Sequence, residues 1–208
     1  MDVGIDIGNS NLTLGFKDGD NWKGLWRMPT TLDDPFTFYR TRWIDELLES
    51  GFTIDHISQI SISSVVPDLT PFIEEVAKDV FGKVPYIINT SSYDLIDVSI
   101  DNKDQLGVDL YANAAAAYHR YRQSIIIVDF GTALTFTSVK EKGVLEGVAI
   151  VPGLKTAIKA LSGNTAQLPE VHLLTPKSLI GKNTSEAIRA GILHAYVGLV
   201  KHMISETK

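Results

Sequence analysis

The chain contains no cysteine among its 208 residues. A disulfide framework, a zinc–thiolate site and a cysteine nucleophile are therefore excluded. Positive charge is also in short supply: 19 lysines and arginines against 25 aspartates and glutamates leave a formal net charge of −6. A general nucleic-acid binder presents a basic face, so no nucleic-acid partner is expected. That balance does not exclude ATP, because a single loop can supply local donors in an acidic protein. No apolar run approaches the roughly 20 residues that a bilayer-spanning helix needs. No basic segment followed by an apolar one opens the chain, so neither a membrane nor a secreted protein is expected, and a cytoplasmic location is the default. Linkers, charge blocks and low-complexity segments are missing as well. What is present, 44% hydrophobic and 21% charged residues, suits a globular protein that buries a core as one large domain or two small ones.

Two segments resemble each other. The first runs Ile5-Asp6-Ile7-Gly8-Asn9-Ser10-Asn11-Leu12-Thr13-Leu14, and the second Val128-Asp129-Phe130-Gly131-Thr132-Ala133-Leu134-Thr135-Phe136-Thr137. Each is an apolar strand, then Asp-x-Gly with small polar neighbours, then a second β-prone run. Such a turn exposes backbone N–H groups and hydroxyls, and its glycine lets a phosphate come close to the backbone. One copy alone is equally a plain hairpin. Two copies, one opening the chain and one past its middle, point to a duplicated fold holding a nucleotide between its halves.

The periodicity along the chain supports a repeat. Strands are expected at Val3–Ile7, Leu12–Phe16 and Trp22–Met28, then a helix over Pro35–Leu48 with Phe36, Tyr39, Trp43 and Leu47 on one face, closed by Gly51. A strand at Ile57–Ser63, a helix at Leu69–Phe81 with Thr70 as cap and Pro71 in its first turn, and a strand at Val84–Ile88 follow. After a helix at Leu110–Tyr121, three strands recur at Ser124–Asp129, Ala133–Lys140 and Val144–Ile150. Helices at Leu154–Leu161 and Thr184–Ile204 complete the chain, the second capped by Asn183 or Thr184 with Glu186 at the capping-box position. The five histidines are scattered without metal-ligand spacing, and Trp22, Trp26 and Trp43 are expected in the core.

Six short motifs occur in an order that resembles type III pantothenate kinases: Asp6-x-Gly8-Asn9-Ser10, Ser63-Ser64-Val65-Val66-Pro67, Gly107-x-Asp109, Asp129-x-Gly131-Thr132-Ala133-x-Thr135, Pro152-Gly153-Leu154 and Gly181-x-Asn183-Thr184. The resemblance covers nearly the whole chain. It implies an α/β fold, the duplicated actin-like (ribonuclease H-like) one, with two βββαβα-type halves of mixed sheets flanked by helices. Residues 1–122 would form the half carrying the first phosphate loop and the acceptor motif, and residues 123–208 the half carrying the second loop and a dimer helix. The implied reaction is transfer of the γ-phosphate of ATP to pantothenate in a homodimer that needs Mg²⁺ and a monovalent cation, K⁺ or NH₄⁺.

Phosphoryl transfer requires positioning, charge neutralisation and an oriented nucleophile. Gly8, Asn9 and Ser10 would cradle phosphates on one side, and Gly131, Thr132 and Ala133 on the other. Asp6 and Asp129 would face Mg²⁺ largely through water, since Mg²⁺ keeps part of its hydration shell, and the resemblance also places Asp129 near the monovalent cation. Asp109, at a helix start, is the candidate general base for the pantothenate hydroxyl, although an aspartate there is equally a helix cap. Gly107, Val108 and Leu110 border it in the acceptor pocket. The resemblance implies that Thr184 reaches pantothenate from the neighbouring subunit, while its position alone reads as the start of a helix.

The chain departs from the family pattern in that pocket. Leu110 stands where the family has arginine, and leucine cannot pair a carboxylate. Ile100 and Lys103 stand where an aromatic and a proline are usual. A further strand–helix unit with a Gly-Gly turn to adenosine is also expected, and the 208 residues do not contain it. Weak nucleotide binding and dimerisation through a face of Ile188, Ile192, Tyr196, Leu199 and Met203 are therefore anticipated. Three readings stand at this point: a pantothenate kinase, a related kinase with another acceptor, and a silent nucleotide-binding regulator.

Overall fold

A computed structural model describes residues 1–207. The chain divides into two units, Met1–Leu95 with Asn102–Asn113, and Ile96–Asp101 with Ala114–Lys208.

In the first unit, strands β1 (Asp2–Ile7), β2 (Asn11–Asp18) and β3 (Asn21–Pro29) form an antiparallel meander. Helix α1 (Pro35–Ser50) leads to β4 (Gln59–Ser64), and helix α2 (Thr70–Phe81) to β5 (Tyr86–Ile87). The sheet order is β3-β2-β1-β4-β5, with β4 parallel to β1 and β5 parallel to β4. Alternation builds the central strand: Val3, Ile5 and Ile7 are buried, and Asp2, Gly4 and Asp6 are exposed. Tyr39 and Trp43 of α1 and Ile73, Val76 and Phe81 of α2 close the core over those residues, with Trp43 stacked on Phe81 at 5.4 Å. Gly51 ends α1 in the left-handed region, φ 69°, where glycine has no steric penalty.

In the second unit, β7 (Ile125–Phe130), β8 (Ala133–Lys140) and β9 (Val144–Pro152) repeat the meander, and a two-residue strand β6 (Asp97–Val98) lies parallel to β9. The order is β6-β9-β8-β7. Helix α4 (Leu154–Gly163) and helix α5 (Thr184–Glu206) share a small core of Ile158, Val171 and Ile188. Helix α3 (Val108–Tyr121) begins in the first unit and continues in the second. Each unit is thus a mixed sheet with helices, as anticipated.

Three local expectations change. Trp22 is 65% exposed, because it lies on the outer third strand with its ring over Gly15 rather than in the core. Thr70 is the first residue of α2 rather than its cap, and its hydroxyl donates to the Ser64 hydroxyl at 2.7 Å and to the Val66 carbonyl. Asn183 caps α5, accepting from the Glu186 N–H at 2.9 Å, but Glu186 turns to Arg189 instead of closing the box. No helix among the described residues is long and apolar enough to cross a membrane.

Candidate active site

The two glycine turns are related, the second being one residue shorter. At the first, Gly8 N–H donates to the Asn11 carbonyl at 3.0 Å, and a Cβ on Gly8 would sit 3.2 Å from that oxygen. At the second, Gly131 N–H donates to the Ala133 carbonyl at 2.9 Å, and a Cβ would sit 3.3 Å from it. At both positions a side chain would crowd the backbone, so glycine is favoured. Asp6 and Asp129 end the strands that enter these turns, and both are exposed. Asp6 lies opposite Thr13 on β2 and Ser63 on β4, and Asp129 lies opposite Thr135 on β8. The hydroxyls of Ser63 and Thr135 are buried without a hydrogen-bond partner.

The neighbouring segments hold these turns in place. In the first unit, β1 and β4 end on the same side of the sheet, where the Ser63-Ser64-Val65-Val66-Pro67 motif forms a turn: Ser64 Oγ accepts from Val66 N–H at 3.1 Å. The crevice beyond the carboxyl ends of parallel strands is where α/β sheets receive ligands. In the second unit, Gly153 at the entrance to α4 packs so closely on the second turn that a Cβ would collide with the Gly131 carbonyl. The helix entrance also donates its Gly153 N–H to the Thr132 carbonyl at 2.9 Å.

The acceptor motif is built around Asp109 at the start of α3. Leu110 N–H donates to Asp109 Oδ1 at 2.7 Å, and that oxygen occupies the place of a Gly107 side chain, 2.5 Å from where a Cβ would be. Tyr93, which the sequence did not bring forward, donates its hydroxyl to the Leu106 carbonyl at 2.8 Å and stacks on buried Tyr111 at 4.0 Å. Tyr111 in turn accepts from Leu95 N–H at 2.8 Å. Burial, reinforced by the Asp109 carboxylate, raises the Tyr93 phenol above its usual value, so it stays a proton donor.

The structure gathers Asp6, Gly8, Asn9 and Ser10 at one end of the first sheet, and Gly107, Val108, Asp109 and Leu110 at the α3 start in the same unit. Asp129, Gly131, Thr132 and Ala133 lie together in the second unit. Ile100 follows β6 in that unit, half-buried, and Thr184 opens α5, exposed. Lys103 begins a short 3-10 turn capped by Asn102. Among the described residues no three of His, Asp and Glu cluster as a metal cage. Exposed carboxylates beside glycine turns suit a hydrated magnesium ion that takes its remaining ligands from water and a ligand's oxygens.

A family model described as type III pantothenate kinase matches residues 3–206. Curated type III pantothenate kinases from Geobacter sulfurreducens and Geotalea daltonii are 38% and 36% identical, over 98% of this chain and 80% of each relative. A Campylobacter jejuni structure described as a conserved Baf family transcriptional activator superposes with a TM-score of 0.50 at 22% identity, covering 96% of this chain and 78% of that one, a likeness of fold. With paired glycine turns, an aspartate-led helix start and a family match running almost end to end, the chain belongs to the type III pantothenate kinase family.

Proposed function

We propose that the chain carries out its family's reaction, ATP-dependent phosphorylation of the primary hydroxyl of pantothenate at the start of coenzyme A synthesis, with the residues above in specific roles. The turns at Gly8-Asn9-Ser10 and Gly131-Thr132-Ala133 bind the phosphates of ATP. Asp109 accepts the proton of the acceptor hydroxyl as its oxygen bonds to the γ-phosphorus. The bond from that phosphorus to the β–γ bridging oxygen breaks, and ADP leaves with the electron pair. Gly107 leaves the space in which the Asp109 carboxylate lies, and Tyr93 fixes the preceding peptide. Magnesium bound with ATP would neutralise phosphate charge, held by Asp6 and Asp129 through water, and K⁺ or NH₄⁺ would sit near Asp129. Thr184 completes the pocket of a partner subunit in a homodimer.

The observation that supports this reading best is the coincidence of the family match over residues 3–206 with two related glycine turns, each led by an exposed aspartate. The test is pantothenate-dependent ADP release with ATP, Mg²⁺ and K⁺. Asp109→Asn is expected to lower kcat by about 10²- to 10⁴-fold, the usual worth of a general base, while ATP still binds. Unchanged turnover would remove Asp109 from the mechanism. Leu110 favours a second reading, because an apolar side chain in place of the family arginine would suit an acceptor without pantothenate's carboxylate. ADP release that ignores pantothenate but responds to another alcohol would support it.

A further inference from the structure

We infer that Thr30 and Thr156 are positioning residues for the two phosphate turns, one in each unit, and that they act by fixing the direction of backbone N–H groups. The inference rests on the reading of those turns as phosphate cradles. Thr30 lies one residue beyond β3. Its hydroxyl donates to the Gly8 carbonyl at 2.6 Å and its N–H to the Ser10 carbonyl at 3.1 Å, so one residue bridges the first turn. Thr30 is itself clamped. The hydroxyl of buried Tyr39 donates to the Pro29 carbonyl at 3.0 Å and accepts from Thr31 N–H at 3.0 Å, on either side of it. Thr156 lies in the first turn of α4, after β9. Its hydroxyl donates to the Thr132 carbonyl at 2.7 Å, which also receives Gly153 N–H at 2.9 Å. Both lone pairs of that oxygen are thereby engaged.

The same device therefore appears in both units: a threonine just past the third strand holds a carbonyl of the glycine turn. Its effect follows from peptide planarity. In a trans peptide the C=O and the following N–H point in opposite directions. A held Gly8 carbonyl turns Asn9 N–H away from Thr30, and a held Ser10 carbonyl does the same for Asn11 N–H. A held Thr132 carbonyl turns Ala133 N–H away from α4. The Gly8–Asn9 plane lies beside a glycine and would otherwise rotate at little cost. The Thr132–Ala133 plane has no glycine and is held by two donors, Gly153 N–H and the Thr156 hydroxyl. The threonines remove that freedom before a ligand arrives, which is the preorganisation that anion binding by backbone N–H groups needs.

The experiment uses the full chain with Thr30→Val and Thr156→Val, which keep shape and lose the hydroxyl, and Thr30→Ser and Thr156→Ser, which keep the hydroxyl. MgATP is titrated by calorimetry, melting temperature is recorded, and KM is measured for ATP and for pantothenate. Each valine variant is expected to bind MgATP about tenfold more weakly, the upper range for one hydrogen bond. kcat/KM for ATP should fall alike, with KM for pantothenate and the melting temperature unchanged and the serine variants restored. Valine variants that bind MgATP as the parent does would overturn the inference. So would a loss that follows the melting temperature and is not rescued by serine, since the hydroxyls would then only brace the fold. If the parent binds MgATP without pantothenate-dependent turnover, the acceptor reading fails, and the calorimetric comparison alone decides the threonines' role. A parent that does not bind MgATP overturns both.

Discussion

At the scale of single residues, the buried hydroxyls separate into those that are paired and those that are not. Tyr39 has no exposed surface and uses its hydroxyl twice, as donor to Pro29 and acceptor from Thr31. Burial raises its phenol above the ordinary value of 10.0, and the Thr31 N–H only partly offsets this. The folded state therefore favours the protonated phenol. Its contribution to stability is complete below the unfolded value near 10.0 and is lost as pH rises through the higher folded value. Tyr93 and Tyr196 shift the same way, also through burial. The urea midpoint should hold steady from neutrality to about pH 9 and fall above pH 10, and Tyr39→Phe should flatten part of that fall. A midpoint that rises with pH in this range would contradict the burial argument. Few of these pairings were legible in the sequence. Gly8, Asp109 and Gly131 stand in local motifs that can be read directly, whereas Thr30 reaches its partner across 22 residues and Thr156 across 24. Only an overlay of the two halves, third strand on third strand, would have brought them forward. Tyr93 gave no signal, because its partner Leu106 is 13 residues away in an irregular stretch.

At the scale of elements, the duplication goes deeper than the motifs. In both meanders the third strand bulges against the second. Lys23 has no ladder partner opposite Phe16 and Lys17, nor Glu146 opposite Ser138 and Val139, each just before the paired Gly24 and Gly147. Both third strands end in proline, Pro29 paired with Asn11 and Pro152 with Ala133. Proline at the strand terminus removes a donor where the ladder ends in any case. The meanders were legible because alternation over six to nine residues is a local signal. Strand β6 was not, since two residues carry no period and their pairing with β9 is decided by tertiary packing. The first strands of the two meanders differ in one respect: β1 lies between β2 and β4, while β7 pairs with β8 alone among the described residues. Amide exchange should reflect this. Protection is expected at successive residues of β1, and at alternate residues of β7, where every second N–H faces away from β8. Uniform protection along β7 in mass-resolved deuterium uptake would show that its outer edge is covered.

At the scale of the whole molecule, an acidic chain with a net charge of −6 binds a more acidic ligand, so attraction must come from oriented dipoles and bound cations rather than from bulk charge. Dimerisation belongs to this scale as well. The face of α5 expected to dimerise, Ile188, Ile192, Tyr196, Leu199 and Met203, is partly spent within the unit, since Ile188 is buried and Ile192 packs with it against Ile158. The same helix also carries Val197, 45% exposed, beside exposed Gly198 and Ala195. Light scattering should report twice the 22.8 kDa chain mass, and Val197→Glu should return it to the single-chain value without lowering helix content. A monomeric parent chain would end the dimer proposal and, with it, the role given to Thr184. The distribution of indole rings has one more consequence. All three tryptophans, Trp22, Trp26 and Trp43, belong to the first unit. Tryptophan fluorescence, excited selectively over tyrosine, therefore reports on that half alone, and far-ultraviolet dichroism on both. The chain thus carries its own optical label for learning whether the two halves melt together or in turn.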